Sequence, residues 1–229
     1  MHNRNTSLAQ FAIPWQKFET YGKADFTNFV RNVVANEAHF GAKATKVQTE
    51  ILDHYLVNKT ANDSNFYLQK YTQLLSDIQF NIPIIWESRI KAQFQWPLFL
   101  YLNTYFNEKV FPEQVKVRAN FHSNDHNYLF RKENSSVQFN VQDRAIEDFL
   151  VRSTVNFVNK GNPSTKEIIW PVTTPEIPMR YLKIKENRPE VADLLMLDRL
   201  KFWLTLVETY PTYNIIRGTA HPEYRHQEL

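Results

Sequence analysis

The sequence contains no cysteine. That removes disulfide bridges, thiolate metal sites and a cysteine nucleophile together, while leaving the compartment open. Glycine is almost as scarce: only Gly22, Gly41, Gly161 and Gly218 occur, far apart in the chain. A GxSxG nucleophile elbow, a GxGxxG dinucleotide turn and a phosphate-binding P-loop each need closely spaced glycines, where backbone turns sharply or approaches a ligand. None can be assembled from this set. Long apolar runs are missing as well. The opening MHNRNTSLAQFAIPW holds a short apolar segment interrupted by Gln10 and Pro14, too short for a signal h-region or a membrane span. No later window reaches the length needed to cross a bilayer, so the expectation is a soluble chain without a membrane span.

Charge of one sign does not accumulate either. Lys and Arg number 27 against 24 Asp and Glu, a formal net charge of +3, spread along the chain. The densest basic stretch, Lys183-Ile184-Lys185 with Arg180 and Arg188 nearby, alternates with apolar residues and reads as one exposed face of a strand. Phosphate recognition needs a wider cluster, so no nucleic acid is expected as a partner.

The chain does hold enough apolar material for a sizeable core: 43% hydrophobic and 14% aromatic over 229 residues, one domain or part of a larger one. In AKATKVQTEILDHYLV, Ala44, Val47, Ile51 and Tyr55 recur at three- or four-residue steps and predict a helix with one buried face. In DSNFYLQKYTQLLSDIQF, Tyr67, Tyr71, Leu74 and Ile78 do the same, with Asp63 or Ser64 available as N-cap. A third helix is expected from about Ile84 to Phe94, with Pro83 at its start.

At PLFLYLNTYF, residues 97 to 106, the period changes to a nearly continuous apolar run, which suits a strand buried on both faces. Helical spacing returns from Val141 through Ile146, Phe149, Leu150 and Phe157, and KGNP supplies the stop, with Gly161 as C-cap and Pro163 beyond. MRYLKIKE, residues 179 to 186, reads as a second, more exposed strand. The last helix, around LLMLDRLKFWLTLVE, is expected to bury Leu197, Leu200, Leu204 and Val207. Helices alternating with strands far apart in sequence form an α/β pattern with crossover connections.

The stretch ANFHSNDHNYLF, residues 119 to 130, carries the chemistry-bearing side chains. A metal reading would use His122, Asp125 and His126, but no helix spacing of a known zinc site accompanies them and the segment reads as non-helical. A histidine serving only as a polar loop residue is the simpler alternative.

Several blocks, in order, resemble the type B carboxylesterase and cholinesterase family of α/β-hydrolases, in the C-terminal part of that family's domain. PLFLYLNTYF is similar to the family's PVYFYRFDY strand. HSNDHNYLF, residues 122 to 130, aligns without a gap on HGDELPYLF. STVNFVNKGNPS, residues 153 to 164, resembles WTNFAKTGNPN. Trp170-Pro171 followed by Arg180-Tyr181-Leu182-Lys183-Ile184 resembles the WP and YLEI segments, and LDRLKFWLTLVE fits the closing helix. The resemblance implies an α/β fold, the C-terminal part of an α/β-hydrolase, helix-rich with a few strands of the central sheet.

It also implies a function. His122 takes the place of the family's catalytic histidine, which removes the serine proton during attack on an ester and returns it to the leaving alkoxide. Departures accompany the match. Ser123 stands where the family has glycine, Asn124 where it has an acidic residue, and His126-Asn127 where it has Leu-Pro, so a looser loop is expected. The family's acid lies in a segment resembling NKDEGSFFL. Its nearest counterpart here is NTSLAQFA, residues 5 to 12, with Ser7 at the acid's place, so no acid carries over.

The tail, residues 210 to 229, ends in HQEL, His226 to Leu229, which resembles an HxEL retrieval signal of the endoplasmic reticulum. Sequons begin at Asn58, Asn62 and Asn134. The resulting expectation is that residues 1–229 form a partial carboxylesterase domain of the secretory pathway, acting on small-molecule esters in an intact enzyme. By this reading the chain is inactive alone, uses no cofactor or metal, and needs an N-terminal portion that carries the serine. The alternative is a non-catalytic cholinesterase-like module that binds a partner.

Overall fold

The computed structural model describes residues 13–57, 64–130, 138–186 and 188–220. In chain order the helices are α1 (Lys23–Phe29), α2 (Glu37–Phe40), α3 (Ala44–Leu56), α4 (Ser64–Ser76), α5 (Ile82–Gln93), α6 (Asp125–Leu129), α7 (Val141–Lys160) and α8 (Leu197–Thr209). The strands are β1 (Leu100–Asn103), β2 (Tyr181–Ile184), β3 (Glu190–Ala192), β4 (Tyr213–Asn214) and β5 (Thr219–Ala220). They fall into two compact units, one drawn from residues up to Trp86 together with those from Met196 onward, the other from Glu87 to Leu195.

The first unit is helical. On α3 the expected face is the observed one: Ala44, Val47, Ile51 and Tyr55 are all buried. Gln48 joins them because its amide donates to the Ala35 carbonyl at 2.8 Å, which removes the cost of burying it. On α4 the stripe runs through Tyr67, Tyr71 and Leu74 as expected, then departs at Ile78. Asp77, three residues on from Leu74 and at the start of a π-helical turn over Asp77–Asn81, takes the inward place and leaves Ile78 half-buried.

That carboxylate is fully buried and well supplied with donors. The Tyr55 hydroxyl donates to Oδ2 at 2.8 Å, and Asn81 and Arg199 donate to Oδ1 at 3.0 and 3.1 Å. Trp203 in turn donates its indole N–H to the Tyr55 oxygen at 3.1 Å. On α8 the buried stripe is Leu200, Trp203, Leu206 and Tyr210, not the expected Leu197, Leu200, Leu204 and Val207. Burying the larger Trp203 and Tyr210 removes more apolar surface from water, and both residues find polar partners inside. Strands β4 and β5 form a two-residue hairpin too short to show a period, closed by Gly218 at φ +64°.

The second unit is a small mixed sheet with a helix crossing between its parallel strands. β1 pairs parallel with β2 in the register Leu100 to Tyr181 through Asn103 to Ile184, and β2 pairs antiparallel with β3. Helix α7 is the crossover. Ile146 and Leu150 on it pack in one cluster with Leu182 and Ile184 of β2, Trp170, Tyr105 and Tyr128.

Its C-terminal end is built as the sequence predicted. Gly161 sits at φ +68° and donates to the Phe157 carbonyl at 2.8 Å. At the other end Asn140 and Asp143 exchange side-chain and backbone hydrogen bonds in a capping box. The burial expected of the two strands is reversed. β1 lies at the edge of the sheet, with Tyr101 exposed and Leu100 and Leu102 half-buried, whereas β2 is central and its Leu182 and Ile184 are fully buried. Among the described residues no helix is long and apolar enough to cross a membrane. The architecture is helix-rich α/β with a few strands, as the resemblance implied.

Candidate functional site around His122

His122 is exposed and stands immediately ahead of α6. The segment is therefore partly helical, against expectation: Asp125 and His126 lie within α6. Ser123 occupies φ +65°, the left-handed region that a side chain with a Cβ enters at a cost. A glycine at that position, as in the family pattern, meets no such penalty. The sharp turn this permits separates His122 from the helix and leaves its ring on the surface.

The backbone beneath His122 is not loose. Asn124 is buried and bonded through both ends of its amide: it donates to Asn120 Oδ1 at 2.7 Å and accepts from Asn127 at 3.1 Å. Its own N–H donates to the Phe121 carbonyl at 3.0 Å. Asn120 passes the chain of bonds onward, donating to the carbonyl of Asn103 at 2.6 Å. Three asparagines thus tie the His122 turn to the carboxyl end of β1. The exchange of an acid for Asn124 supplies a donor where a carboxylate could only accept, which is why this buried position is satisfied.

A second anchor fixes the far side of the turn. Asp125 accepts the Tyr101 hydroxyl at 2.8 Å, linking α6 to β1. Asp143, 1% exposed, gathers four donors: Tyr105 and Tyr128 on Oδ1 at 3.0 Å each, Asn107 and the Asn140 N–H on Oδ2 at 2.5 and 2.9 Å. It joins the segment leaving β1, helix α6 and the start of α7 in one buried node. Burial, and then the Asp143 carboxylate beside it, hold the Tyr128 hydroxyl far above the usual phenol range. Burial chiefly pushes Tyr105 up to about 12. Both tyrosines therefore remain neutral donors. The sequence signal for this node was available in NVQD, an Asn followed three residues later by an acid at a helix start.

The metal alternative finds no geometry here. His126 sets its ring edge against Phe130 at 5.7 Å, and Asp125 is engaged by Tyr101. Among the described residues no three His, Asp or Glu side chains are grouped as a metal ion would need. Ser7, the sequons at Asn58, Asn62 and Asn134, and the HQEL tail lie outside the described residues.

The site as built presents one exposed imidazole on a turn bonded to the end of a sheet strand. Such a mount holds a proton-transfer group in place while leaving it open to a reactant.

Residues 3–203 match the carboxylesterase family. The chain is 26% identical over 215 residues to "Gut esterase 1" of Caenorhabditis briggsae, a match that covers 90% of this chain and 38% of that protein. It is 22% identical over 213 residues to "Gut esterase 1" of Caenorhabditis elegans, covering 88% of this chain and 37% of that one. The chain thus spans less than two fifths of the length of the curated relatives it matches. With the family match running over most of the sequence, and with the strand, turn and crossover helix arranged as described, the chain belongs to the carboxylesterase family.

Proposed function

We propose that the chain carries the histidine-bearing, C-terminal part of a carboxylic-ester hydrolase, in which His122 is general base and then general acid toward a serine nucleophile. The reading rests on one observation above all. His122 is presented on a turn that uses a left-handed residue and is bonded through Asn124 and Asn120 to the carboxyl end of β1. In α/β sheets reacting groups are carried at the carboxyl ends of strands, and a histidine tied to that end of β1 supports this role.

The sequence offers no GxSxG, so the 229 residues alone are expected not to hydrolyse esters. A serine and an orienting acid would come from a further portion, and the substrates would be small neutral esters. The test begins with the transcript read through its 5′ end. If a GxSxG segment lies upstream in the same reading frame, the longer protein should hydrolyse p-nitrophenyl butyrate. His122→Ala should then lower kcat by at least about a thousandfold, the scale of losing a triad histidine. Full activity in that variant would remove His122 from the mechanism. A transcript that starts at Met1, with a purified product that binds a protein partner and cleaves no ester, would favour the non-catalytic module instead.

The HQEL terminus supports a place in the endoplasmic reticulum lumen. Deleting residues 226–229 should convert a retained protein into a secreted one. Identical distribution of both forms would refute that location.

A further inference from the structure

The second unit contains an apolar pocket of about 330 Å³ at the opening residues of β1, away from Asn103, where the His122 turn is tied. Its walls include Leu98, Phe99, Leu129, Leu150, Phe157 and Trp170. Among the described residues no charged side chain lines it. Phe99 and Phe157 meet edge to face with centroids 6.0 Å apart, and Trp170 is backed by Phe149 in a stacked pair at 5.9 Å. The indole N–H of Trp170 donates to the Leu100 carbonyl at 2.9 Å, which fixes that wall to β1. The volume is at the lower end of the ~300–1,000 Å³ common for small-molecule sites.

The polar groups of the lining are few and differ in what they have to offer. The Tyr101 hydroxyl is already given to Asp125. Thr154 is at the exposed rim. Ser153 is different: it is 2% exposed, lines the pocket from α7, and its hydroxyl has no hydrogen-bond partner among the described residues. A buried hydroxyl left unpaired is destabilising, and buried polar groups in folded proteins are almost always paired. Serine has three staggered side-chain positions, so rotation about one bond can turn this oxygen toward a group seated in the pocket.

We infer that this pocket binds a small neutral aromatic molecule bearing one hydroxyl or carbonyl, with the rings on the Phe99, Phe157 and Trp170 walls and the polar group paired with Ser153. The inference is independent of His122 and of ester hydrolysis. Neutrality follows from the absence of any lining charge, since a buried ion would have no partner. A single polar group follows from the single unpaired hydroxyl.

The test is calorimetric titration of the purified chain with 1-naphthol and with naphthalene as the match lacking the hydroxyl. 1-Naphthol should saturate one site and bind about fivefold more tightly than naphthalene, the scale of one net hydrogen bond. Ser153→Ala should remove that preference, and Thr154→Trp, which fills the pocket from its exposed rim, should weaken both ligands at least tenfold without changing the melting profile. On the wild-type chain, 1-naphthol should shift the indole N–H resonance of Trp170 and leave that of Trp203, in the other unit, in place. Absence of saturable binding, unaltered binding by a normally folded Thr154→Trp chain, or a shift at Trp203 and not Trp170 would overturn the site. Retention of the full preference by Ser153→Ala would overturn the role given to its hydroxyl.

Discussion

Replacing Asp143 by asparagine is the substitution that bears most directly on how the His122 turn is held. The change is nearly isosteric, so packing is preserved and hydrogen bonding alone is altered. In the native node Oδ1 accepts from Tyr105 and Tyr128, and Oδ2 accepts from Asn107 and the Asn140 N–H. An amide has one accepting end. Turned with its oxygen toward Asn107 and the Asn140 N–H, the amide sets its NH₂ against the two tyrosine hydroxyls, which can accept from it, but both hydroxyl hydrogens lose the carboxylate and Tyr105 keeps only Asn140 Oδ1 at 3.4 Å. Hydrogen bonds to a charged acceptor contribute roughly 1.5–3 kcal/mol each, so Asp143→Asn should cost about 3–6 kcal/mol. That is a large part of the roughly 5–15 kcal/mol that stabilises an ordinary domain. Urea unfolding followed by far-UV circular dichroism should show the midpoint fall steeply. Asn140→Ala, which removes the cap on the Asp143 N–H and a long contact at 3.4 Å from the Tyr105 hydroxyl, should cost about 1 kcal/mol in the same assay. A loss below about 1 kcal/mol for Asp143→Asn would show that the node does not hold β1, α6 and α7 together.

Ser123→Gly should stabilise the chain by about 0.5–1 kcal/mol, because the ~1–2 kcal/mol cost of a left-handed residue is relieved against the smaller entropy cost of glycine, and Ser123→Val should do the reverse. Thermal melts of the two variants check this, and a lower midpoint for the glycine form would refute the strain. At high pH, Tyr105 and Tyr210 are both pushed up to about 12, chiefly by burial, with Glu50 beside Tyr210 adding to it. The folded chain thus keeps protons that the unfolded chain releases near pH 10, so the stabilisation is complete below about pH 10 and is lost between about 10 and 12. The tyrosinate absorbance that is lost in Tyr105→Phe and Tyr210→Phe should therefore rise together with loss of circular dichroism; a contribution of these two residues near pH 10 with structure intact would contradict it. His54 is held below its usual value mainly by burial, its ring stacked face to face on Phe202 at 3.8 Å. Its contribution is present above about pH 6.5 and declines as pH falls, so His54→Phe should flatten the drop in urea midpoint between pH 7 and 5. An unchanged slope would exclude His54 as its source.

Local sequence reached the elements whose signals lie within a few residues. The α3 face and the Gly161 stop of α7 needed only period and capping chemistry, and both are present as read. Reading failed where neighbours in space decide. Ile78 had the right spacing to be buried, yet Asp77, also in helical step with Leu74, took the inward place, because Tyr55 and Arg199 offer it donors from elsewhere in the chain. The α8 stripe rotated for a related reason: Trp203 found the Tyr55 oxygen and Tyr210 found Glu50, so the larger aromatic surfaces could be buried with their polar atoms paired.

For the site the division is similar. His122 was read as a matched residue in a matched block, and the change from glycine to Ser123 suggested a looser loop, whereas Ser123 takes up φ +65° in a turn that Asn124 bonds in place. That Asn124 would be buried and doubly bonded was not legible, since its partners Asn120 and Asn127 become partners only when the turn closes on Asn103. By itself the sequence determined the fold class and the family that its blocks resemble, because composition, period and motif are properties of neighbouring letters. Tertiary structure alone decided which strand is central, which polar side chains are buried and what anchors His122. Burial and hydrogen-bond partnership depend on residues brought together from 17 to 122 positions away.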